Sequence, residues 1–314
     1  MKMTLAIAIQ GKAVRALKIF LCVLLGLSLT GCGAVKIAYD HGETVVMIWV
    51  DRYIDLDQTQ EAMARQRVTA FFSWHRATQL PDYIEMAGRL KVEAEKSVAL
   101  DDVNRLEGEL RERGYRSLNR ALPDLADIAL SLRPEQLAKT AEKFSDNDRQ
   151  YREDFVDVSV EKRRRNRYDK WLDRVEYWYG TLNAEQRAAL RKLTDAQPDD
   201  PGLWLLEREA RERELVALLT HIARDKPPRD EVTTELAAFA RRMETSPDPT
   251  RRAYYDALRA SERSIWVAVS AMATEDQRRH AASELGSWID DMKAAEPQAQ
   301  AATATKFDPS VTGR

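Results

Sequence analysis

Cysteine is nearly absent from this 314-residue chain. Both cysteines, Cys22 and Cys32, fall in the first 32 residues, within or next to the apolar run FLCVLLGLSLTGCG. The rest of the chain has no thiol for a disulfide, a cysteine-ligated metal or a nucleophile. We therefore expect the rest of the chain to be stabilised by its hydrophobic core alone.

Glycine is also scarce, with 12 residues, and no segment alternates β-branched or aromatic residues with polar ones over the length of a strand. Alanine, leucine, glutamate and arginine are abundant, and these residues favour helices. Apolar residues recur at spacings of three and four through most of the chain. The sequence predicts an all-α protein, an antiparallel multi-helix array or bundle with a disordered C-terminal tail.

Common catalytic motifs are missing: there is no GxSxG, P-loop, GxGxxG or HExxH. The four histidines are dispersed along the chain, and no cysteine is left to complete a zinc site. We expect no cofactor, no metal site and a non-catalytic role. An uncharacterised cell-wall hydrolase is the alternative, because acidic residues are frequent enough to supply a carboxylate pair.

The chain also lacks an excess of positive charge. Its formal net charge is −2, and the first 31 residues hold four basic and no acidic residues, so their removal brings the charge to −6. Proteins that bind nucleic acid broadly need a basic surface. We therefore expect no nucleic-acid partner.

An export signal is present at the N-terminus. Residues 1–31 combine basic residues, an apolar core at 19–29 and a small-residue ending. The ending Leu29-Thr30-Gly31-Cys32 resembles the lipobox of bacterial lipoproteins. The resemblance implies cleavage before Cys32, a diacylglyceryl group on its sulfur and an acyl chain, such as palmitate, on the new amine.

Two other interpretations of this segment remain. An uncleaved membrane anchor would use residues 19–35, which only just reach the lower limit of about 17 residues for a spanning helix. An ordinary secretory signal with a chance cysteine is the other.

The lipoprotein interpretation also predicts a location. Several acyl chains anchor a protein stably, so Cys32 would hold the chain to membrane lipid. In the lipoprotein family an aspartate after the cysteine often favours inner-membrane retention, and Gly33 stands here instead. We expect an envelope protein at the outer membrane that faces the periplasm.

The remaining chain divides by composition. We predict a tether at 32–40, a helical region at 41–197, a second helical region at 198–294 and a disordered tail at 295–314. The segment DAQPDDPG, with two prolines and three aspartates, marks the boundary. Whether 41–294 forms one domain or two is left open. The tail has too little apolar content to bury itself.

Individual helices carry further predictions. The segment ETVVMIWVDRYIDL predicts a mostly buried first helix, with a helix lying on lipid as the alternative. Pro123 should break or kink its helix. After Ser159, an apolar stripe that includes Trp171 predicts a core-facing helix. That helix begins with the basic run EKRRRNR, which we expect to pair with acidic neighbours, with anionic lipid headgroups as the alternative.

Glutamine recurs three residues after four candidate helix caps, in LDQTQ, LRPEQ, LNAEQ and ATEDQ. Asp57, Asn183 and Thr274 suit the cap position of a capping box, whereas Arg133 does not. The pattern resembles the LTxxQ motif of Spy- and CpxP-type periplasmic chaperones. That resemblance implies a Spy-like chaperone as an alternative function.

A wider resemblance covers most of the first half of the chain. The segments IAYDHGETVVMIWVDRYIDLDQTQ, SWHRATQLPDYIEMAGRL and ALPDLADIALSLRPEQLAKTAEKF look like an uncharacterised family of bacterial helical lipoproteins, a domain of unknown function. The resemblance implies an all-helical fold and brings no assigned reaction.

The segment SWHRATQLPDY is the densest polar and aromatic cluster, and we take it as a candidate interaction site. Its members are Trp74, His75, Arg76, Asp82 and Tyr83. The favoured interpretation is a corner between helices, with Trp74 in the core, His75 hydrogen-bonded and Arg76 paired with a carboxylate. The alternative is an acid–base site in which Asp82 orients His75 and Arg76 holds an anion.

Together these features predict a lipid-anchored periplasmic protein with a non-catalytic binding or structural role. Its expected partners are membrane lipid, through Cys32, and an unidentified envelope protein or cell-wall component.

Overall fold

In the computed structural model, the described part of the chain is residues 34–304, with side chains described for 38–296. The signal peptide and Cys32 lie outside it. Within that range the protein is all-α, an antiparallel array of eleven α-helices, as predicted. The helices are α1 (Ala34–Tyr53), α2 (Gln58–Thr78), α3 (Leu80–Glu93), α4 (Leu100–Ser131), α5 (Pro134–Tyr151), α6 (Val160–Tyr179), α7 (Ala184–Asp195), α8 (Pro201–Asp225), α9 (Arg229–Arg242), α10 (Pro249–Met272) and α11 (Glu275–Ala304).

Helix starts follow local capping chemistry. The side chains of Asp57, Asn183, Asp200 and Asp248 each accept a hydrogen bond from the backbone N–H three residues later. Such a bond satisfies one of the donors that a helix start leaves unpaired. A π-helical turn, Arg152–Val156, continues α5 toward α6.

Three boundaries differ from the sequence predictions. The segment predicted as a tether is helical from Ala34 onward. The last helix extends to Ala304, and Ala295 is buried, so the predicted tail does not begin at 295; residues 305–314 lie outside the described part. Pro123 does not break α4, which continues through it to Ser131.

One core lies between α6, α7, α10 and α11. Tyr168, Trp171, Val175 and Tyr179 of α6 are buried there, against Ile265 and Val269 of α10 among others. The stripe predicted on α6 therefore faces a core. Its period of three and four places these side chains on one face of the helix.

A second core joins α4, α5, α8 and α9, around Leu132, Leu137, Ile222 and Val232. A third packs Leu80 and Ala87 of α3 against Met292 and Ala295 of α11. Since α11 also packs on α1, α2 and α6, helices from both sides of the predicted boundary at 197/198 share the same cores.

One buried charge ties α8 to the loop before α10. Glu207 is 2% exposed and accepts hydrogen bonds from Ser246 at 2.6 Å, Arg251 at 2.7 Å and Arg211 at 2.8 Å. These partners replace the water that the carboxylate loses, and they hold its pKa below the ordinary value although burial opposes this.

Candidate functional site

The predicted interaction cluster lies where α1, α2, α3 and α4 meet. His75 is half-buried, and its Nδ1 lies 3.0 Å from the hydroxyl of Tyr39 on α1. The ring of Tyr83 on α3 stacks against the His75 ring, with 5.7 Å between centroids. Burial lowers the pKa of His75, which favours the neutral imidazole.

Asp82 does not orient His75. Its two carboxylate oxygens accept from Arg113 and Arg116 of α4, each at 2.9 Å. Burial opposes ionisation of Asp82, but the two guanidiniums outweigh it and hold the pKa of this carboxyl below its ordinary value. The acid–base arrangement that requires a His75–Asp82 pair is therefore not formed.

Arg76 and Trp74 complete the corner. The guanidinium of Arg76 lies 3.7 Å from the Glu43 carboxylate and donates to the carbonyl of Tyr39. Trp74 is half-buried, and the Arg120 guanidinium lies over its ring at 5.9 Å. Each of the five predicted residues thus contacts a neighbouring helix through the bonds expected of an interhelix corner, with Trp74 less buried than expected.

The first helix exposes apolar side chains to solvent. Val45, Ile48 and Trp49 are 57%, 61% and 58% exposed, and they share one face because of their spacing of three and four. Met47, on the opposite face, is buried. The prediction of a mostly buried first helix is therefore wrong, since its neighbours α2, α5 and α11 cover only one side of it.

This exposed face carries little charge. Arg52 and His41 lie on the same side of α1 as Val45, and both are exposed. The aliphatic part of the Arg52 side chain can lie along this apolar surface while its guanidinium extends into water. We call the surface formed by Val45, Ile48 and Trp49 the α1 face.

Two of the four recurring glutamines meet at the junctions that start α2 and α5. Gln60 and Gln136 exchange hydrogen bonds through their side-chain amides, at 3.2 Å and 2.7 Å. Each amide also donates to a carbonyl in the other junction, Gln60 to Ser131 and Gln136 to Asp55. Each oxygen accepts from the N–H of its own helix cap. Each of the two buried side-chain amides therefore donates two hydrogen bonds and accepts two.

The other two glutamines repeat the arrangement at the starts of α7 and α11. Gln186 and Gln277 exchange bonds at 2.7 Å and 3.0 Å, and they donate to Met272 and Thr181. The sequence predicted the capping boxes but not these pairs, which we call the glutamine pairs. The partners are separated by 76 and 91 residues, so no local signal joins them.

Arg133, the cap that the sequence marked as unsuitable, makes no side-chain cap. Its guanidinium instead pairs with Asp57 across the junction at 2.6 Å. Arg133 thus does not cap α5, but it binds Asp57, the N-cap residue of α2.

Sequence reasoning missed one carboxylate pair, formed by the buried Asp148 of α5 and the partly buried Glu212 of α8. The two carboxylates share one cation, since Arg208 Nε lies 3.0 Å from Asp148 and 2.9 Å from Glu212. Burial, together with the adjacent Asp148, raises the pKa of Glu212 to about 7, although Arg208 opposes the shift. Both line a cavity of about 560 Å³. Nothing in their local sequence distinguishes them from surface acids.

Comparison with known proteins places the chain in a family. The sequence profile of the DUF6279 family, described as a family of unknown function, matches residues 52–244, more than half of the chain. The chain belongs to this family. The match includes the interhelix corner, one glutamine pair and the Asp148–Glu212 pair, and it brings no assigned reaction. No curated protein matches the chain. No solved structure matches it either.

Two features are absent from the part of the chain that the structure describes. No helix there is both long and apolar enough to span a bilayer. No group of three or more histidine, cysteine, aspartate or glutamate side chains there is placed to hold a metal ion.

Proposed function

We propose that this DUF6279 protein is a bacterial lipoprotein whose acylated Cys32 and α1 face together hold it on the periplasmic surface of the outer membrane. There it has a non-catalytic role, as a binding or structural protein of the envelope. The observation that carries the proposal is the apolar α1 face, on the helix that starts two residues after the lipobox cysteine.

The lipobox and α1 support the same location. Cleavage before Cys32 would leave α1 as the first element of the mature chain, directly beside the acyl chains. A helix of 20 residues is about 30 Å long, so α1 can lie along a membrane surface for that distance. Its apolar face is then placed where lipid, rather than another helix, covers it.

The residue types on the α1 face suit the membrane interface. Tryptophan is favoured at the boundary between headgroups and acyl chains. Full burial of a side chain of the size of valine or isoleucine is worth about 1.5–3 kcal/mol. Partial insertion of Val45, Ile48 and Trp49 would therefore add to an anchor that several acyl chains already make stable.

The two alternative functions gain no support from the geometry. A retaining or inverting glycosidase needs two carboxyl groups that are free to act on a sugar between them, whereas Asp148 and Glu212 both contact the Arg208 guanidinium, whose Nε lies 3.0 Å and 2.9 Å from them. The Spy-like motif is explained by the glutamine pairs, because its glutamines are used inside the protein and leave no amide group for a client.

Depth measurement by spin labelling tests the proposal. The mature chain would contain one native cysteine, Cys32, and acylation blocks it, so an introduced cysteine can be labelled alone. Ile48→Cys tests the α1 face in lipidated protein reconstituted into vesicles. We expect this label to collide with oxygen dissolved in the lipid more than with a water-soluble nickel complex.

Leu206→Cys is the matched control, because Leu206 of α8 is also an exposed aliphatic residue, at 48%. We expect its label to collide mainly with the nickel complex. Equal access of the nickel complex at both positions would contradict membrane seating of α1.

A further inference from the structure

A cavity of about 490 Å³ opens to solvent beside the loop that joins α3 to α4, at residues 94–99. Its walls come from α3, α4, α6, α10 and α11, and most of the surface that it presents is apolar. Six lining side chains are half-buried and so still present apolar atoms to a ligand: Leu90, Val98, Val103, Leu106, Trp178 and Trp266. The volume lies within the range of about 300–1,000 Å³ that is usual for small-molecule sites.

The loop beside the opening is tied to the core. The backbone N–H of Val98 donates to the hydroxyl of Ser270 on α10 at 2.8 Å, and Ser270 is buried. The buried side chains of Tyr179, Ala281 and Leu285 complete the lining. The cavity is therefore framed by the packed helices themselves and by a loop that a hydrogen bond holds against them.

The carboxylates of the lining already have partners. Glu93 and Asp102 both pair with the Arg105 guanidinium, at 2.9 Å and 3.1 Å, and Asp102 also accepts from the Ala99 N–H at 3.0 Å. No buried side-chain nitrogen or oxygen of this lining lacks a hydrogen-bond partner. A ligand that brought polar groups into the cavity would leave those groups without partners, which costs free energy. The interior therefore suits an apolar chain.

One cation of the lining has no counterion. Lys96 lies in the exposed loop, and its ammonium has no ion-pair partner among the described residues. Since Arg105 pairs with both lining carboxylates, Lys96 leaves a positive charge beside the opening. A lysine ammonium is a compact charge on a flexible stem, so it can approach a carboxylate or a phosphate.

The size of the cavity limits the number of chains. A carbon of an alkyl chain fills about the volume of a water molecule, roughly 30 Å³, so the cavity holds one chain of about 16 carbons. The two chains of a membrane phospholipid need about twice that space. The cavity therefore fits a lipid with a single chain.

We propose that this cavity binds one acyl chain whose head carries a negative charge. The chain lies between Leu106, Trp178 and Trp266, and burial of its methylene groups supplies the affinity. The head stays at the opening, in solvent, where it pairs with Lys96. A neutral head would leave this ammonium without a counterion.

This binding site goes beyond the proposed function, and it holds whether or not Cys32 is acylated. The α1 face contributes no residue to the cavity. The ligand is a separate molecule, either a free fatty acid or an anionic lipid with one chain, and the two share the chemistry that the cavity recognises.

Photolabelling of the intact protein in lipid nanodiscs tests the proposal, because nanodiscs contain no detergent tails that could occupy the cavity. The probe is palmitate with a diazirine in the middle of its chain. We expect saturable labelling of the peptides that contain Val98, Val103 and Trp266, and excess palmitate should remove it. Labelling of α1 by probe dissolved in the bilayer is read separately, so the two proposals can fail independently. Absence of saturable labelling at the cavity walls would overturn the proposal.

Variants that fill the cavity locate the site. Val103→Trp places an indole in the cavity, so the half-saturating probe concentration should rise by about tenfold or more. Val92→Trp is the matched control, because Val92 is 64% exposed on α3 and does not line the cavity. Its value should stay within about twofold of the native one.

Val98→Phe is a second filling variant, in the exposed loop, where a larger side chain requires less repacking than in a helix. It too should weaken labelling, with thermal unfolding of all variants as the check on folding. Native half-saturation in a folded Val103→Trp or Val98→Phe protein would overturn the assignment of this cavity.

Substitution of Lys96 tests recognition of the head. Lys96→Gln should raise the half-saturating concentration by about threefold, which is the effect expected of an exposed ion pair. Lys162→Gln is the control, because Lys162 is an exposed lysine of α6 that does not line the cavity, and it should change nothing. An unchanged value in Lys96→Gln would overturn the choice of an anionic head.

Competing lipids identify the head and count the chains. Palmitate and lysophosphatidate, each with one chain and an anionic head, should displace the probe, and the stronger of the two shows whether the carboxylate or the phosphate is preferred. Hexadecanol, with a neutral head, should compete about threefold less well than palmitate. Phosphatidylglycerol, with two chains, should not compete. Equal competition by hexadecanol, or displacement by phosphatidylglycerol, would overturn the proposed ligand.

Discussion

At the scale of single residues, two side chains of the same type can differ completely in burial. Trp171 and Trp49 are both part of helical apolar patterns, yet Trp171 is buried in the core of α6, α7, α10 and α11 whereas Trp49 is exposed on α1. The sequence placed Trp171 correctly because its stripe extends over several helical turns. It misplaced Trp49 because apolar density alone does not reveal how many helices surround a given helix.

Trp171→Ala should lower the free energy of unfolding by about 3–5 kcal/mol, because it removes a large buried ring and leaves a cavity. Trp49→Ala should lower it by less than about 1 kcal/mol, since that ring is mostly exposed. Urea unfolding of the two variants measures both values. Similar losses in the two variants would contradict the assigned burial.

Glu212 predicts a pH dependence of stability. Its pKa of about 7 in the folded protein lies above the ordinary value of 4.5, so the native state binds more protons than the unfolded state between these limits. Stability therefore falls as pH rises from about 4.5 to 7, and above pH 7 the cost of ionising the buried carboxyl is fully present. With allowance for solvent screening, the change is on the order of 1 kcal/mol.

Urea unfolding at pH 5 and pH 8 measures this change. Glu212→Gln should reduce the difference between the two pH values, because it removes the titrating group. Glu214→Gln is the control, because Glu214 lies on the same helix, is exposed, and pairs with Arg242 of α9 at 2.5 Å. A Glu212→Gln protein with the native pH dependence would show that another group is responsible.

At the scale of helices, the sequence predicted where a helix starts better than it predicted which other helices pack against it. Asp57 and Asn183 form the predicted capping boxes, because a capping box depends on residues only three positions apart. The glutamine pairs could not be predicted, since each needs a second junction far along the chain. Pro123 was expected to break or kink its helix; α4 is not broken there, and α2, α8, α9 and α10 pack against it.

The first glutamine pair predicts an energetic coupling between distant helix starts. Gln60→Leu should cost about 2–3 kcal/mol, because it removes both hydrogen bonds to the Gln136 amide and leaves the cap N–H of α2 without its partner. The same reasoning applies to Gln136→Leu. The double variant should cost less than the sum of the two by about 1 kcal/mol, since both single variants lose the same two hydrogen bonds between the amides.

A double-mutant cycle measured by urea unfolding gives this coupling. Gln60→Leu combined with Gln186→Leu is the control, because these residues belong to different pairs and their effects should add within about 0.5 kcal/mol. Additivity within the first pair would contradict the reciprocal hydrogen bonds.

At the scale of the whole molecule, the C-terminal helix belongs to the N-terminal core. The sequence boundary at 197/198 marks a real change of helix, but α11 supplies Met292 and Ala295 to the core of α3 and Ala281 to the core of α6. Composition finds such a linker easily. It cannot show which helices pack against each other across it, because that depends on shape complementarity at long range.

Truncation tests this sharing of cores. A chain that ends at Met272 lacks α11 and exposes Leu80 and Ala87, so it should lose its cooperative thermal transition. A chain that ends at Ala304 should melt like the native protein, because the tail was predicted to contribute nothing to the core. A cooperative transition in the shorter chain would show that the first ten helices form an independent domain.

The central claim is that the mature protein begins at an acylated Cys32 and rests on a membrane through that lipid and the α1 face. Its most direct test is the intact mass of the protein extracted from the membranes of the native cells. We predict a chain that starts at Cys32 and carries the added mass of a diacylglyceryl group and one further acyl chain. A mass that retains residues 1–31, or a Cys32 with a free thiol, would contradict the account.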